Sequence, residues 1–303
     1  MKFSIIIPTY DRSGTLAKVL AALSGQSHQD FEAIIVDDGS LEKAGDKIDF
    51  GSFSYPIKYF CQDNRGPAAA RNRALKEIGP DTDLILFLGD DVVPAADFLQ
   101  QHQAYHQLFP QDNQAVLGLT LWPEELRDSF MDFLSPYGLQ FDYSGLADKQ
   151  EADFRFFYSS NLSLKSDFMA GYFFDESFKA AAYEDTELGY RLAREKNLKI
   201  IFNPQAVAYH YHKYSKKQFA ERQKKNAAWA RLLAARHPDL EPLISKSRWR
   251  IAYYLAVAVV FYPAYFFYRL LRPKACGSFY RFYNSAGLQL VFNWNYWFGG
   301  SAK

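Results

Sequence analysis

Asp83-Leu84-Ile85-Leu86-Phe87-Leu88-Gly89-Asp90-Asp91-Val92 is the stretch on which the reading of the fold turns. The unbroken apolar run Leu84 to Leu88 predicts a strand buried on both faces of a parallel sheet. It stops abruptly at glycine and two carboxylates. Ligands of open α/β sheets bind beyond the carboxyl ends of the strands, so paired aspartates there can hold a hard divalent cation against a diphosphate. A solvated turn with Asp capping the next helix explains the same residues, and the stretch alone does not choose between the two.

The residues before it set the frame. Lys2 to Pro8 and Phe31 to Val36 read as strands, separated by a helix whose apolar stripe is Leu16, Val19, Leu20 and Leu23. Strand, helix, strand predicts a parallel βαβ opening and an α/β domain with a Rossmann-like, mostly parallel sheet and flanking helices. Residues 41–56 read as a surface helix and loop, and Ile57 to Cys61 as a third strand. Gly66-Pro67 then opens an alanine-rich helix carrying Arg71 and Arg73, with Arg65 just ahead: guanidinium groups near a helix start suit phosphate oxygens. A solvated basic face is the plain alternative.

Further on, a helix is expected over Ala95 to Phe109, with His102 and His106 on one face. Without a third ligand nearby they read as structural. Val116 to Leu121 is a strand candidate, residues 123–155 read as variable loops over a substrate cleft, and Phe156 to Lys165 reads as a strand. Glu184-Asp185-Thr186-Glu187 opens another helix, with more acid in its first turn than capping needs. Lys199 to Phe202 predicts a short strand, followed by His210 and His212.

In this order the segments Ile7-Pro8-Thr9-Tyr10, Val36 to Ser40, Asn64 to Asn72, Gly89-Asp90-Asp91, Asn161-Leu162-Ser163, Glu184-Asp185 and His210 resemble a family 2 glycosyltransferase with the GT-A fold, over about Phe3 to His212. The resemblance implies an inverting transfer from a nucleoside diphosphate sugar, UDP- or dTDP-linked, to a glycan or lipid-linked acceptor. It implies that Pro8, Thr9, Tyr10, Asp38, Gly66, Arg71 and Asp90 contact the nucleotide sugar, with Tyr10 stacking on the base, Asp38 accepting from a ring N–H and Arg71 offsetting diphosphate charge. Asp91 and His210 would hold Mg²⁺ or Mn²⁺. The family's acidic triplet often reads Asp-x-Asp and here begins with Gly89, so the metal falls to Asp91 and Asp90 becomes a sugar or ribose contact. His210 fits the spacing better than His212. Asp185 would be the general base and Glu184 would orient the acceptor. A sugar-phosphate nucleotidyltransferase would need a glycine-rich loop where Pro8-Thr9-Tyr10-Asp11 stands; a non-catalytic nucleotide-sugar-binding module would not need Asp91, Asp185 and His210.

Composition narrows the partners. Among 303 residues, 35 Lys and Arg face 34 Asp and Glu, so no global field favours nucleic acid. Aromatic residues make up 17% and crowd the end of the chain. Two cysteines, Cys61 and Cys276, make no disulfide framework, and Cys61 closes an apolar segment as a buried thiol would. The opening residues lack a basic leader and a long apolar core, so a cytoplasmic site at the inner face of the cell membrane is expected. The boundary is expected near residue 214: a catalytic domain over 1–214, then a helical region over 215–303. In that region Ser215 to Arg236 reads as an amphipathic helix. Ile251 to Tyr268 carries no charge, contains Pro263 and is flanked by Arg248, Arg250, Arg269, Arg272 and Lys274. That pattern suits a segment lying in an anionic interface, or else a buried helix of a subdomain. Phe279 to Phe298 repeats the aromatic bias.

Overall fold

The structure is a computed structural model that describes residues 1–135, 139–244, 248–271 and 278–299. Arg272, Lys274 and Cys276 lie outside the described residues, as do the side chains of Arg248, Arg250 and Arg269. The chain divides into two compact units, Met1–Pro123 with Gly145–His212, and Glu124–Ser144 with Lys213–Lys303.

The first unit is built on one mixed sheet. Its strands are β1 (Phe3–Thr9), β2 (Phe31–Asp37), β3 (Ile57–Cys61), β4 (Leu84–Leu88), β5 (Val92–Pro94), β6 (Gln114–Leu121), β7 (Glu151–Ala152), β8 (Asn161–Lys165) and β9 (Lys199–His210). They run in the order β3-β2-β1-β4-β8-β6-β9-β5, with β7 on β9. The half β3-β2-β1-β4 is parallel, as the apolar runs predict. β4 is buried at every position: one face packs on the helix Ser13–Ser24, and on the other Phe87 meets Phe157 and Phe174. On one face Phe3, Ile5, Ile7, Leu84, Leu86 and Leu88 pack with Leu16, Val19, Leu20 and Leu23 of the helix Ser13–Ser24. Against β1 and β2 lies the helix Pro67–Leu75, whose buried Ala68, Ala69, Ala70 and Ala74 permit close approach. β8 differs: it is antiparallel to both β4 and β6. Alternation reveals a strand but not its direction.

Two expected elements differ in extent. Only Asn161–Lys165 of the segment from Phe156 is strand; Phe154–Phe156 forms a 3₁₀ turn. The strand from Lys199 runs on to His210 instead of stopping at Phe202. It pairs with β6 as Gly118↔Asn203 and resumes as Leu119↔Val207, so Pro204, Gln205 and Ala206 bulge out and the strand continues past them. Gly118 is required there, since a Cβ would collide with Asn161 and with the Ala206 carbonyl. Cys61 is exposed, correcting the expected buried thiol, and donates to the Tyr59 hydroxyl at 3.2 Å.

His102 and His106, on the helix Phe98–Leu108, are wholly buried. His102 bonds Ser163 Oγ at 2.8 Å and Asn161 Oδ1 at 3.0 Å, and His106 bonds Ser163 Oγ at 2.9 Å. These histidines tie the helix to β8, as a structural role requires. Burial pushes His102 down to about 4 and His106 down to about 3. In the unfolded chain both titrate near the usual 6.5, so between that value and 4 the unfolded state takes up protons that the folded state refuses. Stability should therefore fall as pH drops below 6.5, by about 1.4 kcal/mol per pH unit for each histidine. Asp90 and Glu184, whose carboxyls are raised in the folded state, oppose this trend, so the test is a difference: in urea unfolding across this range the wild type should lose about 1.4 kcal/mol per pH unit more than His106→Gln, and equal slopes would refute the assignment.

The second unit is helical. Ser215 caps the helix Lys216–Arg236 through a capping box with Gln218. Segment Glu124–Ser144 packs here: Phe130 meets Phe219 at 6.2 Å between ring centres, and the Tyr214 N–H donates to Met131 Sδ at 3.4 Å. Arg231 donates to the Tyr296 carbonyl at 3.0 Å, joining this helix to Ser278–Phe298. The uncharged segment is a bent pair of helices: Arg248–Val260 and Tyr262–Leu271 break by 51°. Pro263 accounts for the break, since it has no N–H for the Val259 carbonyl and its ring crowds the preceding turn. Among the described residues no single helix is long and apolar enough to cross a membrane; the bent pair meets that test jointly.

Candidate functional site

Strand order points to the carboxyl ends of β1 and β4, where open α/β sheets offer a ligand crevice. From β1 the chain moves to β2 and β3 on one side, while β4 lies on the other, which makes the carboxyl ends of β1 and β4 the switch point of the sheet. Thr9 closes β1 and donates through Oγ1 to Asp90 Oδ2 at 2.8 Å. Arg12, in the same loop as Thr9, donates through Nη1 to Asp91 Oδ2 at 2.6 Å and to Asp90 Oδ1 at 3.1 Å. Asp90 and Asp91 are each only 6% exposed. Burial, then the neighbouring Asp91 charge, pushes Asp90 up to about 6. Burial also opposes the ionisation of Asp91, but His210, with Arg12 and His212, outweighs it and holds that carboxyl below the usual range.

The long β9 explains how His210 reaches this turn. β5 follows the aspartates directly and pairs antiparallel with β9, placing Val92 opposite His210. His210 Nε2 then lies 3.3 Å from Asp91 Oδ2, and His212 Nδ1 lies 3.6 Å from the same oxygen. Trp122 stacks on the His210 ring at 5.0 Å between centres, fixing its plane. Donor chemistry and spacing fit Mg²⁺ or Mn²⁺. Ligands at adjacent corners of an octahedron with bonds of about 2.1 Å lie about 3 Å apart, close to the observed separation. Among the described residues no set of three His, Cys, Asp or Glu forms a ready-made cage. A cation held here would need phosphate oxygens or water to complete its shell, as Mg²⁺ commonly does.

A second cluster gathers around the helix Glu184–Lys196. Arg71 Nη1 donates to Glu184 Oε1 at 2.9 Å, both side chains are buried, and the guanidinium lies 5.3 Å from the Phe174 ring centre. The charge expected to meet a diphosphate is thus engaged with Glu184. Burial, then the charge of Asp185, pushes Glu184 up to about 7 despite Arg71. Asp185 is half-buried, and burial raises it too, against the pull of Arg71. Tyr183, just before them, takes a left-handed φ of 70°, uncommon for a bulky residue and of the kind that clusters at functional sites.

Asp38 and Gly66 belong together. Asp38 accepts from the Gly66 N–H at 2.7 Å, the Arg65 N–H at 3.0 Å and Gln62 Nε2 at 2.7 Å, which folds the loop ahead of the arginine helix. Gly66 has a φ of +90°, and a Cβ there would come within 2.6 Å of the Lys179 carbonyl oxygen. Pro8 sits opposite Val36 near the end of β1, and Tyr10 is 47% exposed at the rim. The structure thus joins Thr9 with Asp90, Asp91 with His210, Asp38 with Gly66, and Arg71 with Glu184. Sequence reading passed over Arg12 and Trp122. A cation placed just after β1, facing a strand end with two adjacent acids, was the available signal for Arg12.

Residues 4–116 match the family model described as glycosyl transferase family 2. Over that stretch the chain is similar to family 2 glycosyltransferases. Chondroitin synthase of Escherichia coli is 30% identical over 225 residues, which cover 63% of this chain and 32% of that protein. Validoxylamine A glucosyltransferase of Streptomyces hygroscopicus subsp. jinggangensis is 30% identical over 220 residues, covering 62% of this chain and 50% of the relative. This chain therefore spans about a third of the first relative's length and half of the second's. Among solved structures, S. aureus TarS 1-349 in complex with UDP superposes with a TM-score of 0.55 at 20% identity, covering 76% of this chain and 65% of that one. TarS 1-349 is also known in complex with UDP-GlcNAc. The shared architecture is the GT-A fold.

Proposed function

We propose that this protein transfers a sugar, with inversion, from a nucleoside diphosphate sugar to a glycan or lipid-linked acceptor at the inner face of the cell membrane. The observation that carries the reading is the buried Asp91–His210 pair, 3.3 Å apart beside Asp90 at the β1/β4 crevice. In this reading Thr9 and Asp90 contact the ribose or sugar, Tyr10 stacks on the base and Asp38 accepts from it, with uracil favoured by the UDP bound to TarS. Asp91 and His210 would hold Mg²⁺ or Mn²⁺, whose charge would offset that of the departing diphosphate. Asp185 takes the proton of the acceptor hydroxyl as its oxygen bonds to the anomeric carbon; the bond from that carbon to the diphosphate breaks, and its electron pair leaves with the nucleotide. Arg71 steadies Glu184, which orients the acceptor.

Melting curves with a panel of nucleotide sugars, with and without Mn²⁺, test the donor reading. A ligand of the folded protein raises its melting temperature, so a shift with UDP- or dTDP-sugars that needs Mn²⁺ is expected. No shift with any sugar nucleotide would favour a non-binding relative.

The helical unit supports the membrane part of the proposal. Val259, Val260, Phe266, Phe267, Leu270 and Leu271 are all exposed on the bent pair, and Trp249 is 86% exposed. Helix Lys216–Arg236 carries several basic residues and one acid, Glu221. Apolar surface of this kind beside basic charge suits an anionic lipid interface, where each Lys or Arg contributes about 1 kcal/mol. The full chain should sediment with phosphatidylserine-containing vesicles and less with neutral ones. Equal indifference to both would defeat membrane association.

A further inference from the structure

Arg12 precedes the helix Ser13–Ser24, and its side chain makes no capping bond to that helix. Its guanidinium instead lies across the acidic turn, donating to Asp91 Oδ2 at 2.6 Å and Asp90 Oδ1 at 3.1 Å, with Nη2 3.5 Å from His212 Nδ1. Asp91 Oδ2 is also the oxygen nearest His210, at 3.3 Å. A cation shared by Asp91 and His210 would have to approach the same oxygen that Arg12 contacts. Two positive groups cannot both sit against that oxygen without strong repulsion, because the carboxylates are buried and poorly screened. The Arg12 side chain is 41% exposed, so it has room to swing aside.

We propose that Arg12 is a built-in competitor for the divalent-cation site, which couples cation binding to the donor diphosphate. A bare cation must displace the guanidinium from Asp91, its shorter carboxylate contact. A cation arriving with a diphosphate supplies a new anionic partner, since guanidinium binds phosphate oxygens as readily as carboxylate. Arg12 thereby acts as a positioning residue that disfavours cation binding alone and favours the cation–diphosphate pair. The inference rests on the assignment of Asp91 and His210 as cation ligands.

Calorimetric titration of Mn²⁺, alone and with saturating UDP, into wild type, Arg12→Ala and Arg12→Lys tests it. Arg12→Ala should bind Mn²⁺ alone roughly fivefold more tightly than wild type, the scale of one partly exposed ion pair. The tightening that UDP produces should shrink by at least the same factor, and by reciprocity so should the tightening of UDP by Mn²⁺. Arg12→Lys should keep most of the wild-type pattern, as it retains the charge. A purely structural role would instead weaken Mn²⁺ binding on substitution. Unchanged or weaker Mn²⁺ binding by Arg12→Ala, with wild-type melting and UDP coupling intact, overturns the proposal. Failure of all three proteins to bind Mn²⁺ even with UDP overturns the cation assignment itself, a distinguishable result.

Discussion

Asp185→Asn should cut turnover by roughly 10²–10⁴-fold while leaving nucleotide-sugar affinity within about twofold of wild type. An amide keeps the shape of the side chain and can still accept from the Thr186 N–H, which now donates to Asp185 Oδ1 at 2.7 Å. It cannot take a proton. Asp185 is held by backbone N–H groups of Thr186 and Ser159, whereas Glu184 is paired with the buried cation Arg71. Burial raises Asp185, which brings a carboxylate closer to the pH at which it can accept a proton and release it again. Initial rates at saturating acceptor, alongside donor titration, separate the two effects. Near-normal turnover would pass the base role to Glu184 or Glu187.

Asp91→Ala should abolish Mn²⁺-dependent UDP binding. Removing one of two protein ligands of a hard cation should cost about 3 kcal/mol or more, some two orders of magnitude in affinity. His210→Ala should weaken Mn²⁺ binding more than His212→Ala, because His210 is the nearer to Asp91 and is the one braced by Trp122. Mn²⁺-dependent affinity that survives Asp91→Ala would remove the cation from this turn. The opposite order for the histidines would move the ligand to His212.

What could be read in advance follows from the range of the interactions concerned. The run Leu84 to Leu88 and the stripe of Leu16, Val19, Leu20 and Leu23 are local patterns, and their burial follows from periodicity. Asp91 was legible as a residue just beyond a buried strand. Its contact with His210 is not local, since it depends on the bulge at Pro204–Ala206 that lets β9 run on to meet β5. The Arg71–Glu184 bond joins positions 113 residues apart, so spacing alone could not reveal that Arg71 faces a carboxylate. Direction was also hidden: β8 has the alternation of any half-buried strand, and only its neighbours make it antiparallel. In the helical unit, Pro263 was visible in an apolar run, but the 51° bend emerges only once the two helices are set.

Hydrogen exchange of the full chain with UDP and Mn²⁺, read by mass spectrometry, tests the central claim that the β1/β4 crevice is the donor site. Amides in Pro8–Arg12, Gly89–Val92 and the end of β9 around His210 should slow on binding, and Asp91→Ala should erase that protection. Saturable UDP binding with these segments unchanged, or with protection confined to the helical unit, would contradict it.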